Sequence, residues 1–143
     1  MEGGIVMRVM GLDIGDRRIG IAVSDPLMIT AQSLETLNRT KLEKDISYLC
    51  ELLEKFEIEE LVVGLPKNMN GTLGPQVEKV KEFVEDLLKA KEVKIIYIDE
   101  RLSTVTVERA LISGDVSRKK RKTVVDKLAA AVILQNYLDR LKQ

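Results

Sequence analysis

Residues 61–65 of this chain, Leu-Val-Val-Gly-Leu, form a short stretch without a single polar side chain. A stretch of this length and composition is typical of a β-strand that is covered on both faces. Such a strand lies inside a sheet that has helices packed against both of its sides. The stretch therefore predicts an α/β fold with helices on both faces of a sheet.

The rest of the chain supplies the other elements of that fold. Alternating apolar residues and turn residues predict strands over residues 5–14, 19–24, 29–37, 61–65 and 93–98. Apolar residues at helical spacing predict helices over residues 42–56, 75–89, about 104–113 and 124–141. The first three strands are hairpin-linked and the later ones alternate with helices, so we expect a mixed five-stranded sheet. No linker or repeat divides the chain, which predicts a single domain over residues 1–143.

Local signals set the ends of these helices. Thr40 is a candidate N-cap of the first helix, Pro75 suits the first turn of the second, and Gly114 suits the residue after the third. Five consecutive cations, residues 118–122, precede the last helix, which we expect to begin near Val124. Cys50 falls on the apolar side of the first helix, and we expect it to pack in the core.

The residue types that are missing exclude several classes of catalytic site. The chain has no histidine and one cysteine, which excludes Ser-His-Asp and Cys-His catalysis, histidine- or cysteine-based zinc sites and an intrachain disulfide. It has no tryptophan and few other aromatic residues, which argues against a stacking surface for single-stranded bases. Carboxylates, hydroxyls, lysine and arginine remain, and these suit an oxygen-ligated cation such as Mg²⁺ or Mn²⁺.

Charge and hydropathy restrict the partners and the location. Lys plus Arg and Asp plus Glu number 23 each, so the net charge gives no argument for nucleic acid. The longest apolar run, residues 128–134, is far shorter than the ~20 residues that span a bilayer. No basic start with an apolar stretch and a cleavage site is present at the N-terminus. We therefore expect a cytoplasmic protein that does not bind a membrane.

Asp13 is the first of three acids at positions where a packed fold does not normally place a charge. It lies near the end of the first strand, and strand alternation puts it on one face with Val9 and Gly11. A carboxylate there needs a compensating cation or hydrogen bonds. The alternative is that Asp13 accepts hydrogen bonds from turn amides around Gly15 and Asp16, and for Asp13 alone both stay open.

Residues 93–98 are predicted to form another buried strand; Glu100 follows this strand and Asp99, and Arg101 comes next. In open α/β sheets, ligands bind beyond the carboxyl ends of the strands. Successive strand residues face opposite sides, so the sequence does not decide which of Asp99 and Glu100 faces a ligand. The alternative is a solvated turn in which Arg101 pairs with a neighbouring acid.

Asp126 stands at the start of the last helix. It shares a helical face with Ala130, Ile133 and Tyr137, and we expect this apolar face to pack on the sheet. Interaction with the helix dipole explains an acid in the first turn, but it does not explain its place on the apolar face. Asp126 is therefore the most informative of the three acids.

Together the three acids predict a metal site. Carboxylates that come close repel one another unless a cation joins them, and a divalent cation supplies chemistry that the missing histidines cannot. We therefore predict that Asp13, Glu100 and Asp126 bind Mg²⁺ or Mn²⁺ and catalyse phosphodiester hydrolysis.

A nucleic-acid substrate needs cations beside such a site, because each of its phosphates carries a negative charge. The basic run directly precedes Asp126 and is the main candidate, although a charge run alone is more often a solvated loop. Its members are Arg118, Lys119, Lys120, Arg121 and Lys122. Weaker candidates are Arg17, Arg18, Lys67 and Arg101.

Four motifs, in order, resemble those of the YqgF/RuvX family of bacterial proteins. They are GLDIG (residues 11–15) with RIGIA (18–22), VGLP (63–66), DERLST (99–104), and the segment from RK (118–119) through DKLAA (126–130) to ILQ (133–135). The resemblance covers nearly the whole chain. Members of this family are described as Holliday junction resolvases and as pre-16S rRNA nucleases.

The resemblance implies an RNase H-like fold and a divalent-metal site in which Asp13, Glu100 and Asp126 take the family's acidic positions. It also implies trimming of the 5′ end of the 16S rRNA precursor. Many nucleases of this fold use four acids, so the number of metal ions and a part for Asp99 stay open.

Three other functions are alternatives to this one. A resolvase of four-way DNA junctions is the nearest, and because resolvases act as dimers, both a monomer and a homodimer stay open. A non-catalytic RNA-binding assembly factor comes from another class. An ATPase of the actin/Hsp70 type shares a similar strand-turn-strand loop, but it needs two such domains.

Overall fold

A computed structural model describes residues 8–65, 74–99 and 118–141, with side chains from residue 128 onward in the last range. Three strands come first and helices then alternate with strands, as the sequence predicts. The elements are β1 (Arg8–Ile14), β2 (Arg18–Ser24), β3 (Ala31–Asn38), α1 (Leu42–Lys55), β4 (Ile58–Leu65), α2 (Pro75–Ala90), β5 (Lys94–Asp99) and α3 (Arg118–Leu141). The short helix predicted between residues 103 and 114 lies outside the described residues.

The strands form one mixed sheet in the order β3-β2-β1-β4-β5. β1 pairs antiparallel with β2, and β2 pairs antiparallel with β3, through the two hairpins. β1 also pairs parallel with β4, and β4 pairs parallel with β5, through helical crossovers. The predicted mixed five-stranded sheet is therefore confirmed, with β1 in its centre.

Side chains of β1 alternate between two apolar cores, one on each face of the sheet. Leu12 belongs to a core that α1 and α2 cover, and all four α2 residues predicted to face inward are buried in it. Val9 belongs to a second core that α3 covers. The α2 residues are Val77, Val80, Val84 and Leu87. The α3 residues are Ala130, Ile133, Leu134 and Leu138.

Gly11 sets the distance between α3 and the sheet. A Cβ atom at this position would lie 2.9 Å from the Ala130 carbonyl oxygen and 2.9 Å from the Leu134 Cβ. These contacts are too short for any larger residue, so the backbone of α3 lies directly against β1.

α3 runs antiparallel to β1. Its residue Tyr137 donates a hydrogen bond to the Glu60 Oε1 at 2.8 Å, and Glu60 pairs with Val9 near the start of β1. Ala130 lies earlier in the helix and packs against Gly11, which is further along the strand. Earlier residues of α3 therefore lie nearer to the carboxyl end of β1.

The predicted N-cap of α1 is wrong. Lys41, not Thr40, is the N-cap, and it makes no side-chain cap hydrogen bond in the part of the chain that the structure describes. Asp45 is buried in the first turn and accepts hydrogen bonds from the Thr40 N–H at 3.1 Å and the Thr40 hydroxyl at 3.3 Å. Thr40 therefore donates hydrogen bonds to the first turn of α1, instead of accepting one from its amides as an N-cap would.

Two further expectations need correction. The strand predicted as buried over residues 93–98 is β5, which is the last strand in the sheet order, and Tyr97 in it is 38% exposed. The last helix begins at Arg118 rather than near Val124, so the basic run belongs to α3. Lysine and arginine are good helix formers, which explains why the helix continues through them.

Cys50 is partly buried and packs against the core between the sheet and the helices α1 and α2, as predicted. Burial raises the pKa of its thiol above the ordinary value, so Cys50 is a poor nucleophile at neutral pH. None of the helices in the described ranges combines the length and apolar character that crossing a bilayer requires.

Replacing Gly11 by alanine is expected to lower the free energy of unfolding by about 1–3 kcal/mol, because backbone atoms of α3 would have to move. The measurement is urea unfolding of the wild type and of Gly11→Ala at neutral pH. An unchanged midpoint would show that α3 does not pack on β1 this closely.

A second prediction concerns Tyr137. Burial, together with the hydrogen bond to Glu60, raises the pKa of its hydroxyl from 10.0 to about 12. The folded state therefore holds this proton more tightly than the unfolded state does. The stabilisation is complete below pH 10 and is lost as the pH rises from about 10 through 12.

Tyr137→Phe removes the hydrogen bond and should be less stable than the wild type by about 1–2 kcal/mol at pH 7. The difference should shrink between pH 10 and 12, because only the wild type loses stability through this group. Urea unfolding of both proteins at several pH values measures it, and a difference that does not depend on pH would contradict the prediction.

Candidate active site

Asp13 lies on the face of the sheet that α3 covers, as its alternation with Val9 and Gly11 predicts. Val9 packs in the α3 core and Gly11 contacts α3, whereas Leu12 and Ile14 pack in the opposite core. Asp13 is half-buried near the carboxyl end of β1. This is the end of the strand beyond which ligands bind in open α/β sheets.

An open cavity of about 410 Å³ surrounds Asp13. Three of its residues form one row across the sheet, because Asp13 pairs with Gly20 of β2, and Gly20 pairs with Thr36 of β3. The others belong to the β1–β2 turn or to the start of β2. They are Gly15, Asp16, Arg17 and Arg18.

The β1–β2 turn beside Asp13 is held by backbone and side-chain hydrogen bonds. The Gly15 N–H donates to the Arg18 carbonyl at 2.8 Å, and the Arg39 guanidinium donates to the Gly15 carbonyl at 2.7 Å. The same guanidinium lies 5.1 Å from the centre of the Phe83 ring of α2. Because the Gly15 N–H already donates to the Arg18 carbonyl, it does not need Asp13 as an acceptor. This weakens the turn-amide role considered for Asp13.

Asp99 lies on the other face of the sheet. It pairs with Leu65, which belongs to the core under α1 and α2, whereas the preceding Ile98 belongs to the α3 core. Asp99 therefore does not share the face of Asp13. The other candidates from this part of the chain, Glu100, Arg101 and Lys67, lie outside the described residues.

Asp126 lies in α3, one helical turn before Ala130, but the helix begins at Arg118, so Asp126 is not in its first turn as expected. Ala130 and Ile133 are fully buried and Tyr137 packs against the same core, which confirms the predicted apolar face for these three. The side chains of residues 118–127 are outside the described part. Among the side chains that are described, no three acidic or sulfur-containing groups lie close enough together to hold a metal ion.

A larger open groove of about 690 Å³ lies on the opposite side of the β1–β2 turn. Its charged lining is mixed, with three cations and three acids: Arg17, Arg39, Lys79, Asp16, Glu82 and Asp86. Lys79 lies 3.7 Å from Asp16, so part of this charge is already paired. The cavity around Asp13 is the better candidate, because it lies at the carboxyl end of β1 on the α3 face and holds a half-buried acid with two arginines next to it.

Gln135 fixes α3 to the loop between β2 and β3. Its Oε1 accepts a hydrogen bond from the Ala31 N–H at 2.8 Å, and its Nε2 donates to the Ile29 carbonyl at 3.0 Å. The loop itself is organised by Asp25, whose carboxylate accepts hydrogen bonds from the Thr30 and Ile29 amides; these lower its pKa, despite a smaller opposing effect of burial. One amide side chain thus joins segments more than a hundred residues apart.

Sequence reasoning missed Gly20, Thr36, Arg39 and Gln135 as contributors to this region. Gly20 and Thr36 become neighbours of Asp13 only through the register of three strands. Arg39 and Gln135 act through contacts between distant segments. The signal that could have indicated Thr36 is a polar residue on the α3 face of a hairpin strand. This signal can be used only when the register of the strands is known.

The profile of the RuvX family, described as Holliday junction resolvase, matches residues 7–140. The chain belongs to the RuvX family. A Clostridium tetani protein provisionally named a pre-16S rRNA nuclease is 55% identical over 133 residues, which are 93% of this chain and 96% of that protein. A Halothermothrix orenii protein of the same name is 54% identical and covers 93% of this chain and 95% of its own.

Solved structures show that the fold is RNase H-like. Thermus thermophilus RuvC in complex with a Holliday junction substrate superposes with a TM-score of 0.58 at 17% identity, over 94% of this chain and 96% of that one. The fowlpox virus Holliday junction resolvase gives 0.52 at 14% identity, over 94% and 99%. The predicted family and fold are confirmed, and the family relationship confirms the predicted nuclease function.

Replacing Gln135 by methionine should cost about 1–2 kcal/mol of unfolding free energy, because the Ala31 amide and the Ile29 carbonyl lose their side-chain partner. The Ala31 amide should also exchange its hydrogen faster. Urea unfolding and amide hydrogen exchange measure the two effects. Arg140→Met, an exposed position of the same helix, is the control. Unchanged exchange at Ala31 would contradict the assignment.

Proposed function

We propose that this RuvX-family nuclease cleaves the 5′ precursor segment of 16S rRNA, with Asp13, Glu100 and Asp126 as the carboxylates of a divalent-metal site. The observation that carries the proposal is the position of Asp13. It is a half-buried acid on the α3 face, in an open cavity at the end of a central strand, with Arg17 and Arg18 in the same cavity.

The direction of α3 supports the inclusion of Asp126. Ala130 contacts β1 at Gly11, and Asp13 is two residues, or about 7 Å, further along the strand. Asp126 is four residues, or about 6 Å, back along the helix. Because α3 runs antiparallel to β1, both steps lead toward the carboxyl end of β1.

The alternation of β5 supports Glu100 rather than Asp99. Asp99 lies on the face away from Asp13, and β5 is separated from β1 by β4 alone. Glu100 is the next acid in the sequence after the last residue of β5. The proposed set therefore takes one acid from β1, one from directly after β5 and one from α3, and these would meet at the carboxyl ends of β1 and β5.

The donor set fits a hard cation. Carboxylate oxygens are the ligands that Mg²⁺ and Mn²⁺ prefer, and the chain offers no histidine to compete. When bound, such a cation would activate water and polarise the phosphoryl oxygen. Arg17 and Arg18 would offset the charge of the incoming phosphate, because acids alone would repel it. Residues 118–122 would add contacts to the nucleic-acid backbone that weaken with salt.

The substrate assignment follows the provisional names of the relatives from Clostridium tetani and Halothermothrix orenii. A second candidate substrate is a four-way DNA junction, which the family description and the RuvC neighbour favour. The two substrates would use the same acids. A direct comparison of cleavage therefore separates them, whereas a catalytic variant alone does not.

Asp13→Asn should reduce cleavage of precursor 16S rRNA in Mg²⁺ by about two orders of magnitude or more, because the amide cannot replace the carboxylate charge. The variant should remain folded, since Asp13 is only half-buried. Cleavage rates on precursor rRNA and on a four-way DNA junction are measured with titrated Mg²⁺ and Mn²⁺.

Asp86→Asn is the matched control, because Asp86 lies on α2 and pairs with Lys89 at 3.7 Å. It should cleave as the wild type does. If Asp13→Asn retains both processing and metal affinity, the catalytic role is wrong and the non-catalytic assembly factor is supported. Cleavage by the wild type of junctions but not of rRNA would support the resolvase.

A further inference from the structure

Thr36 lies opposite Asp13 in the candidate cavity. Gly20 stands between them, paired with Asp13 on one side and with Thr36 on the other. Strands in a sheet are about 4.8 Å apart, so the backbone positions of Asp13 and Thr36 are about 10 Å apart. Because Gly20 has no side chain, the floor of the cavity is open between the acid and the hydroxyl.

Strand alternation places Thr36 on the same face as Asp13. Its neighbour Leu37 packs against the core under α1 and α2, and its other neighbour Glu35 accepts a hydrogen bond from the Tyr48 hydroxyl of α1. Both neighbours thus face α1, and Thr36 faces the other side. Thr36 is half-buried and lines the cavity itself.

The surroundings of Thr36 are unusual for a residue of an edge strand. Edge strands usually carry polar side chains that face water, but Thr36 lines a cavity that two acids and two arginines also line. A hydroxyl can both donate and accept a hydrogen bond. It is therefore suited to a neutral polar group of a substrate whose phosphate lies near Asp13.

We propose that Thr36 contacts the ribose of a nucleotide next to the cleaved phosphate and recognises its 2′-hydroxyl. The 2′-hydroxyl also donates and accepts, and it is the group that lets a protein distinguish RNA from DNA. Thr36 is then a specificity-determining residue for RNA. The inference rests on the proposed function, because Asp13 marks the reacting phosphate.

The experiment uses the full chain and an RNA that carries the cleaved precursor sequence. In parallel substrates, single nucleotides around the cleavage site are replaced by 2′-deoxynucleotides. Cleavage rates are compared for the wild type, Thr36→Val and Thr36→Ser. Valine keeps the β-branched shape and removes the hydroxyl, so the strand should still form. Thr30→Val, at an exposed position before β3, is the control.

In the wild type, one deoxy substitution should slow cleavage about three- to tenfold, which corresponds to one hydrogen bond. Thr36→Val should slow cleavage of all-RNA to the same extent and should be insensitive to that deoxy substitution. Thr36→Ser should retain the sensitivity, and Thr30→Val should behave as the wild type does.

Two results would overturn the inference and leave the proposed function intact. One is a wild type that cleaves RNA without sensitivity to any deoxy substitution. The other is a Thr36→Val variant that keeps the sensitivity, or that slows on every substrate equally, as loss of a phosphate contact would cause. A wild type that cleaves none of these RNAs would instead show that the proposed function is wrong, and the inference with it.

Discussion

The contact between Gly11 and α3 is the constraint on which the rest of this structure depends. Because Gly11 has no side chain, the Ala130 carbonyl packs directly against the central strand β1. This contact fixes the distance between the long helix α3 and the sheet. The hydrogen bond from Tyr137 to Glu60 fixes the direction of the same helix. Together these contacts decide how the backbone of α3 lies relative to Asp13 and the carboxyl end of β1.

Features that depend on local periodicity could be predicted from the sequence. The alternation in β1 correctly assigned Val9, Gly11 and Asp13 to one face, and the helical period correctly grouped Ala130 and Ile133. Both patterns arise because a two-residue or 3.6-residue repeat is imposed by a single buried face. The order of strands and helices followed from the same signals.

Features that depend on which segments meet could not be predicted. The exposure of β5 follows from its place at the end of the sheet, and no local pattern reports that place. Thr40 donates to the buried Asp45 instead of capping α1, and a threonine before a helix can do either, so the local sequence does not decide between them. Of the candidate site, Asp13 and its face were predictable, whereas Thr36 entered only through strand register.

The open cavity explains why an acid is tolerated at the carboxyl end of the central strand β1. A carboxylate that is fully buried without a partner is costly, and it would be disfavoured before any cation or substrate arrives. Asp13 is half-buried in a cavity of about 410 Å³, so water can hydrate it in the free protein. Under the proposed function, a nucleic-acid strand that fills this space would displace that water, and Asp13, the arginines and the phosphate would then interact more strongly. The same open cavity would thus accommodate the acid before substrate binds and strengthen its interactions once substrate covers it.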